Sequence, residues 1–466
     1  MTNRRGVAAR DDIPSPHFSF LPSPLSLIPF LLLAAVACAP RVTVTPAPSG
    51  IRGQIKPAAE SLPVWQLVKR GEFRRAERML AALPLDSSTN VTAAQGMLDV
   101  YRGDYQLAED RLRRVVDSKA DSLLRRFAYY GLEGILASQE RYAALESLET
   151  RARGEGLATD STSFLAARIL SRLGPIRIEG PAQAAILPMK GTIANCPAAG
   201  VRVNGSRAED FWFDTGASMN VITDDLARRY HVRILSDEPG EAGTATERKV
   251  KLRFGAIDSL QIGDIVIRNV PVAVMKGSDL SLGIPFLSIP GIIGWPVIAR
   301  FRTTFDYLSR KVVLEPTTSV PRGNSGQSAD ETRDCPRISR NLFFVGMPIV
   351  EVAVDESGPL DFLLDTGAIG SMLTDAGFAK MTLTPPLATA VGCIGGAGGG
   401  DAKSLKIVRG AAMTLDHQTV APLSLQLHQL PTDELPITID GLVGEDVFKN
   451  FVMTIDAQQG NVTLNK

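Results

Sequence analysis

At 466 residues, with 44% hydrophobic and 21% charged side chains, the chain has room for two to four domains of ordinary globular composition. Fifty basic residues balance fifty acidic ones, so no charge footprint for nucleic acid is present. Four cysteines are too few for a disulfide framework, and the four histidines fall in no HExxH or Cys/His cluster, so we expect neither metal nor cofactor.

Arg4, Arg5 and Arg10 precede an apolar run from Leu25 to Ala37 that contains Pro29 and is short for a bilayer span. Residues 1–38 therefore read as a signal peptide. Its end, Leu33-Ala34-Ala35-Val36-Ala37-Cys38, resembles a bacterial lipobox, which would make Cys38 the lipidated first residue and anchor the protein on a membrane. The other reading takes Ala35-Val36-Ala37 as an ordinary cleavage site and Cys38 as incidental. Both place the protein outside the cytoplasm, in the cell envelope or secreted. Residues 39–59, rich in Pro, Thr and Val, form a tether.

Residues 60–175 carry apolar side chains at helical spacing, as in Leu67, Phe73, Ala76, Met79, Leu80 and Leu83. Gly71-Glu72-Phe73-Arg74-Arg75-Ala76 is matched by Gly103-Asp104-Tyr105-Gln106-Leu107-Ala108, and more loosely by Glu140-Arg141-Tyr142-Ala143-Ala144. The segments resemble tetratricopeptide helix pairs. That resemblance implies an array that binds a protein partner; the plainer reading is a helical spacer. The basic residues Arg111, Arg113, Arg114, Arg125 and Arg126 read as a solvated helix face. Gly174-Pro175 through Pro181 closes the helical region.

The remainder is one unit written twice. Phe211-Trp212-Phe213-Asp214-Thr215-Gly216-Ala217 returns as Phe362-Leu363-Leu364-Asp365-Thr366-Gly367-Ala368, 151 positions later. Val221-Ile222-Thr223 returns as Met372-Leu373-Thr374, and Gly291-Ile292-Ile293-Gly294 as Gly441-Leu442-Val443-Gly444. Each copy ends on a hairpin, at Phe301–Leu314 and Phe451–Leu464. An offset held from end to end argues duplication, with units at 185–316 and 340–466 joined by a polar linker at 317–339. An Asp ending a buried strand is costly unless paired or put to use. Two such residues in equivalent places imply a carboxylate pair sharing one site.

These motifs resemble the retropepsin-like aspartic proteases: two apolar residues, Asp-Thr-Gly-Ala, a flap, then two apolar residues and Gly. The resemblance covers roughly residues 185–466. It implies an all-β pepsin/retropepsin-like pseudo-dimer of two β-lobes behind the N-terminal α-helical domain, in a single monomeric chain. It implies catalysis by Asp214 and Asp365 through an activated water, on a peptide or protein substrate. Thr215 and Thr366 would bond across the lobe interface. Gly216 and Gly367 would let backbone approach the carboxylates, and Gly294 and Gly444 would pack beneath them. Flaps are expected near 238–248 and 390–401, neither with a Tyr.

The copies differ where Ser218 stands against Ile369 and Trp295 against Glu445. Ser218 either bonds near Asp214 or is a surface serine. Asp306 and Asp456 precede hairpin turns and read as turn caps. Cys196 and Cys335 could pair in an oxidising compartment. Two other functions are compatible with the sequence: an inactive peptide-binding module on a protease fold, or an adaptor that acts through the helical repeats.

Overall fold

The computed structural model describes residues 62–83, 88–157, 161–192, 196–244, 248–281, 287–317, 341–344, 346–382, 387–430 and 437–466. The signal-peptide and tether segments, Cys38, Cys335 and most of the linker lie outside these residues.

Three helical hairpins come first: α1 (Val64–Lys69) with α2 (Phe73–Ala82), α3 (Thr89–Arg102) with α4 (Tyr105–Val116), and α5 (Ser122–Ser138) with α6 (Tyr142–Gly154). Asp121 caps α5 by accepting from the Leu123 and Leu124 amides at 3.0 Å. The matching segments seen in sequence are the turns of these hairpins. Gly71, Gly103 and Glu140 have φ of 73°, 76° and 57°. The next residue in each donates its amide five residues back: Glu72 to Leu67, Asp104 to Asp99, and Arg141 to Leu136. This left-handed helix stop favours Gly. Glu140 fills the third because its carboxylate is held by the Ile176 amide and by Arg300. A seventh helix, α7 (Ser161–Leu170), packs on α6.

The helices are not a free-standing spacer. Leu67, Phe73, Met97 and Leu112 share one buried cluster with Ile349, Leu363, Leu405 and Leu442 of the second lobe. The Phe73 ring lies 5.2 Å from that of Phe343. Beside it, the Lys380 ammonium donates to Asp440 at 2.7 Å and to the Arg70 carbonyl at 2.8 Å, and the Thr438 amide donates to the Lys69 carbonyl. In the basic patch Arg113 and Arg114 are exposed and Arg111, Arg125 and Arg126 half-buried. Arg111 pairs with Asp99, Arg113 with Glu109, and Arg125 with Glu155, so most of it is tied into ion pairs within and between helices.

The first lobe opens with β1 (Arg177–Glu179), then β2 (Ala185–Pro188), β3 (Ala198–Val203), β4 (Ala208–Phe213), β5 (Val221–Thr223), α8 (Asp224–Arg229), β6 (Arg233–Ile234), β7 (Gly240–Gly243), β8 (Lys249–Ile262), β9 (Ile265–Met275) and β10 (Gly291–Ile293). β1 pairs with β9, so the β-lobe starts earlier than the sequence expectation of 185. The four-residue α9 (Trp295–Ile298) leads to the hairpin β11 (Phe301–Asp306) and β12 (Lys311–Pro316). The second lobe repeats the plan with β13 (Leu342–Phe344), β14 (Pro348–Val354), β15 (Ser357–Leu364), β16 (Met372–Leu373), α10 (Asp375–Lys380), β17 (Leu387–Gly396), β18 (Gly399–Leu415), β19 (Gln418–Leu427), β20 (Gly441–Val443), α11 (Glu445–Phe448), β21 (Val452–Asp456) and β22 (Asn461–Asn465).

Each lobe places its repeated elements in the same order. β10 lies parallel to β4 and antiparallel to β5, and β20 lies parallel to β15 and antiparallel to β16. The closing hairpins leave their lobes and join: β11 pairs with β21, and the resulting sheet runs β2-β12-β11-β21-β22. At its centre Thr304 and Thr454 meet hydroxyl to hydroxyl at 2.9 Å. The chain is thus a multidomain protein: a pepsin/retropepsin-like pseudo-dimer of two β-lobes with an N-terminal helical domain.

Candidate active site

β4 and β15 run apolar into the lobe interface, where each ends on its aspartate. The Asp214 amide donates to Ile293 of β10 at 3.0 Å, and the Asp365 amide to Val443 of β20 at 3.1 Å. The parallel ladder therefore carries each aspartate to the end of its strand and stops there. Each chain then turns back, with the Ala217 amide on the Asp214 carbonyl and the Ala368 amide on the Asp365 carbonyl, both at 3.3 Å.

The turns are locked together. The Thr215 amide donates to Thr366 Oγ1 and the Thr366 amide to Thr215 Oγ1, both at 3.0 Å. The hydroxyls go on to the opposite strand: Thr215 Oγ1 donates to the Leu364 carbonyl at 2.5 Å, and Thr366 Oγ1 to the Phe213 carbonyl at 2.8 Å. Both threonines are buried, so none of these groups has water as a substitute. The Gly216 amide holds Asp214 Oδ1 and the Gly367 amide holds Asp365 Oδ1, each at 2.8 Å. This fixes both carboxyl planes.

Glycine is required at these two positions by close approach. A Cβ on Gly216 would stand 2.6 Å from Asp365 Cγ, and one on Gly367 would stand 2.6 Å from Asp214 Cγ. Gly216→Ala should therefore wedge the lobes apart. We expect about 2 kcal/mol or more of lost stability in urea melts and at least about a hundredfold loss of turnover, because the carboxyls are displaced from one another.

Beneath the turns, Gly294 and Gly444 present their amides to side chains of the facing segment. The Gly294 amide donates to Asn220 Oδ1 and the Gly444 amide to Ser371 Oγ, each at 3.0 Å. Ser371 in turn donates to Asp446 at 2.6 Å. Sequence reasoning missed these three partners. Asn220 and Ser371 share the offset of 151, so the duplication held the signal. Trp295 and Glu445 occupy equivalent places, with their amides on the Ala217 and Ala368 carbonyls. Asp306 and Asp456 accept from the Ser309 and Gln459 amides of their hairpin turns, as turn caps do.

The dyad is out of contact with solvent: Asp214 is 0% exposed and Asp365 1%. The two carboxyls lie against each other's turns, each beside the glycine that follows the other aspartate, and Asp214 Oδ2 is buried with no partner among the described residues. Burial pushes the Asp214 carboxyl up to about 7. Burial, then the adjacent charge of Asp214, holds Asp365 well above the usual carboxylate range. Two buried acids so placed cannot both ionise easily, so the pair retains a proton. Among the described residues Cys196 is a buried thiol without a disulfide partner, raised first by burial and then by the two aspartates; its expected partner Cys335 lies outside them.

The linked stability effect has a definite sign. Both carboxyls are raised in the folded chain, so the native dyad binds protons more tightly than the unfolded chain from about pH 4 upward, until the raised native values are passed. Its contribution to stability is therefore full in acid and lost as pH rises through that window. Denaturant melts of wild type against Asp214→Asn/Asp365→Asn should show a stability difference that shifts against the wild type between acid and mildly alkaline pH. A difference independent of pH would contradict it.

The expected flaps are hairpins. β7 pairs with the start of β8, Gly240 opposite Leu252, and β17 pairs with β18 out to Gly396 opposite Gly399. Arg248 Nη1 donates to the Gly398 carbonyl at 3.0 Å, which joins one hairpin to the other.

A family model described as aspartyl protease matches residues 199–296, from β3 into α9. A solved retropepsin-like aspartic protease from Rickettsia conorii aligns at 18% identity over 30% of this chain and 94% of its own, with a TM-score of 0.20. No curated protein matches the chain.

Proposed function

We propose that the chain is an aspartic endopeptidase in which Asp214 and Asp365 act as one catalytic dyad. The reading is carried by a single observation: two copies of one unit each deliver a buried aspartate to the same place, each carboxyl packed against the glycine that follows the other. The aspartyl-protease match over the first copy supports the same chemistry.

With one proton on the pair, the ionised carboxylate takes a proton from a water molecule as it attacks the peptide carbonyl. The neutral carboxyl donates its proton to the carbonyl oxygen, and as the tetrahedral adduct collapses the C–N bond breaks with the proton taken from water passing to the leaving nitrogen, so one pair supplies both base and acid. Two carboxyls so placed divide the work in this way because they cannot both be charged. The Thr215–Thr366 lock and the Gly216 and Gly367 amides hold the geometry that this exchange needs. Because one chain provides both halves, it works as a monomer on an extended peptide or protein substrate, without a metal or cofactor. The N-terminal sequence supports export, with Cys38 as lipid anchor, and the repeated helix turns support a tetratricopeptide-like array.

Digestion of a peptide library by the full-length protein at several pH values tests the reading. Defined cuts that disappear in Asp214→Asn are expected. Peptide binding without cleavage at any pH from acid to neutral would favour the inactive binding module.

A further inference from the structure

We propose that helix α7 clamps the first flap hairpin shut, so that access to the dyad requires α7 to let go; this rests on the peptidase reading above. The two aspartates are fully buried. Ala242, Val250 and Leu252 of the first hairpin share a buried cluster with Ala217, and Ile369 packs against it, so the hairpin sits on the segments that follow both Asp-Thr-Gly turns and whatever fastens it bears on access.

Three sets of contacts fasten it. First, β7 is flanked by β8 on one side, and its Glu241 amide donates on the other to Thr162 Oγ1 of α7 at 3.2 Å. An edge-strand amide is where an extended chain would pair; here α7 takes it. Second, Leu165 and Ile169 of α7 are buried in one cluster with Ala242, Val250 and Leu252 of the hairpin and Ala397 at the tip of the other flap. Third, Arg168 pairs with Glu238, just before β7, at 2.5 Å. The flap is held in addition from the second lobe through Arg248 and Gly398, and the Gly398 amide reaches the Asp279 carbonyl at 2.7 Å.

The clamp has a firm base. Arg153 of α6 lies 4.4 Å over the ring of Phe164 in α7, and the helical domain shares its core with the second lobe. A flap of lobe one is thus fastened to a body seated on lobe two. Among the described residues the fastening is light: the Thr162–Glu241 hydrogen bond, the exposed Arg168–Glu238 ion pair and aliphatic contacts. Elements held this lightly open locally while the core stays folded.

The test combines hydrogen exchange of the amides at 240–244 and 249–252 with kcat/KM on a short peptide, both on the full chain. Thr162→Ala/Arg168→Glu should speed exchange at these amides about tenfold and raise kcat/KM by a similar factor, since a hydrogen bond and an ion pair are lost. Arg168→Glu/Glu238→Arg restores the ion pair with its charges exchanged and should return both readings towards wild type. Unchanged exchange overturns the clamp. Faster exchange with unchanged turnover, in a protein that does cut peptides, overturns its control of access. Faster exchange in a protein that cuts nothing, wild type included, leaves the clamp standing and overturns the peptidase reading.

Discussion

Asparagine at either position 214 or position 365 should stop peptide hydrolysis while leaving the fold in place. The substitution keeps size and shape, so the Gly216 or Gly367 amide retains an acceptor at the held oxygen. What is lost is the ability of the pair to exchange a proton. Removing one carboxyl removes base and acid together, because neither aspartate does its part without the other. Each part contributes on the order of a hundred- to ten-thousandfold, so the fall should be at least about ten-thousandfold in kcat, with little change in KM. Undiminished turnover in either variant would rule out the dyad. Melts should show the Asn variants at least as stable as wild type in mild alkali, where the buried charge they replace is most costly.

Valine at position 215 or 366 should be the most damaging conservative change for stability. Thr215→Val keeps the volume and removes two bonds: the hydroxyl that serves the Leu364 carbonyl, and the acceptor of the Thr366 amide. Both orphaned groups lie inside the lobe interface. At about 1–3 kcal/mol for each unpaired buried group, the cost is about 2–6 kcal/mol, a large share of the roughly 5–15 kcal/mol by which a domain is folded. Urea melts check this. A loss below about 0.5 kcal/mol, the low end for a single hydrogen bond, would mean that water reaches the interface and replaces the hydroxyl. Turnover should fall as well, because the same bonds set the distance between the two aspartate turns.

The dyad was legible in the sequence for a physical reason. A buried strand that ends on Asp is rare enough to stand out, and a second one at a constant offset gives the pairing without any knowledge of the fold. The turns of the helical hairpins were legible because the left-handed stop selects Gly at two of three places, Gly71 and Gly103. The joining of the closing hairpins into one sheet was not, since Phe301–Asp306 and Val452–Asp456 read as ordinary strands whatever they pair with.

Contacts between distant segments were the least visible. Lys380, Asp440 and the carbonyl of Arg70 come together from three separate parts of the chain. Nothing in local periodicity marks them. The one local hint was Asp361, an acid inside an apolar strand. Its carboxyl is buried and lifted well above its usual range, first by burial and then by neighbouring Asp440. Thr162 on Glu241 is equally silent in sequence.

The shared core also changes how the helical region must be probed. Deleting residues 60–175 would uncover Ile349, Leu363 and Leu442 of the second lobe. A loss of cleavage after that deletion would report a damaged lobe as readily as a lost client site. Point changes on α7 or on the exposed helix faces separate the two.

The central claim is that two acids from two halves of the chain hold one proton between them. Carbon-13 NMR of labelled aspartate carboxyls, titrated in wild type and in Asp214→Asn and Asp365→Asn, reads this directly. In the wild type, carboxyls 214 and 365 should both respond to the same two steps, at least one of them well above the ordinary carboxylate range, and each substitution should collapse the other residue's curve to a single step. Two independent single steps near the unperturbed aspartate value, each indifferent to substitution of the other residue, would contradict it.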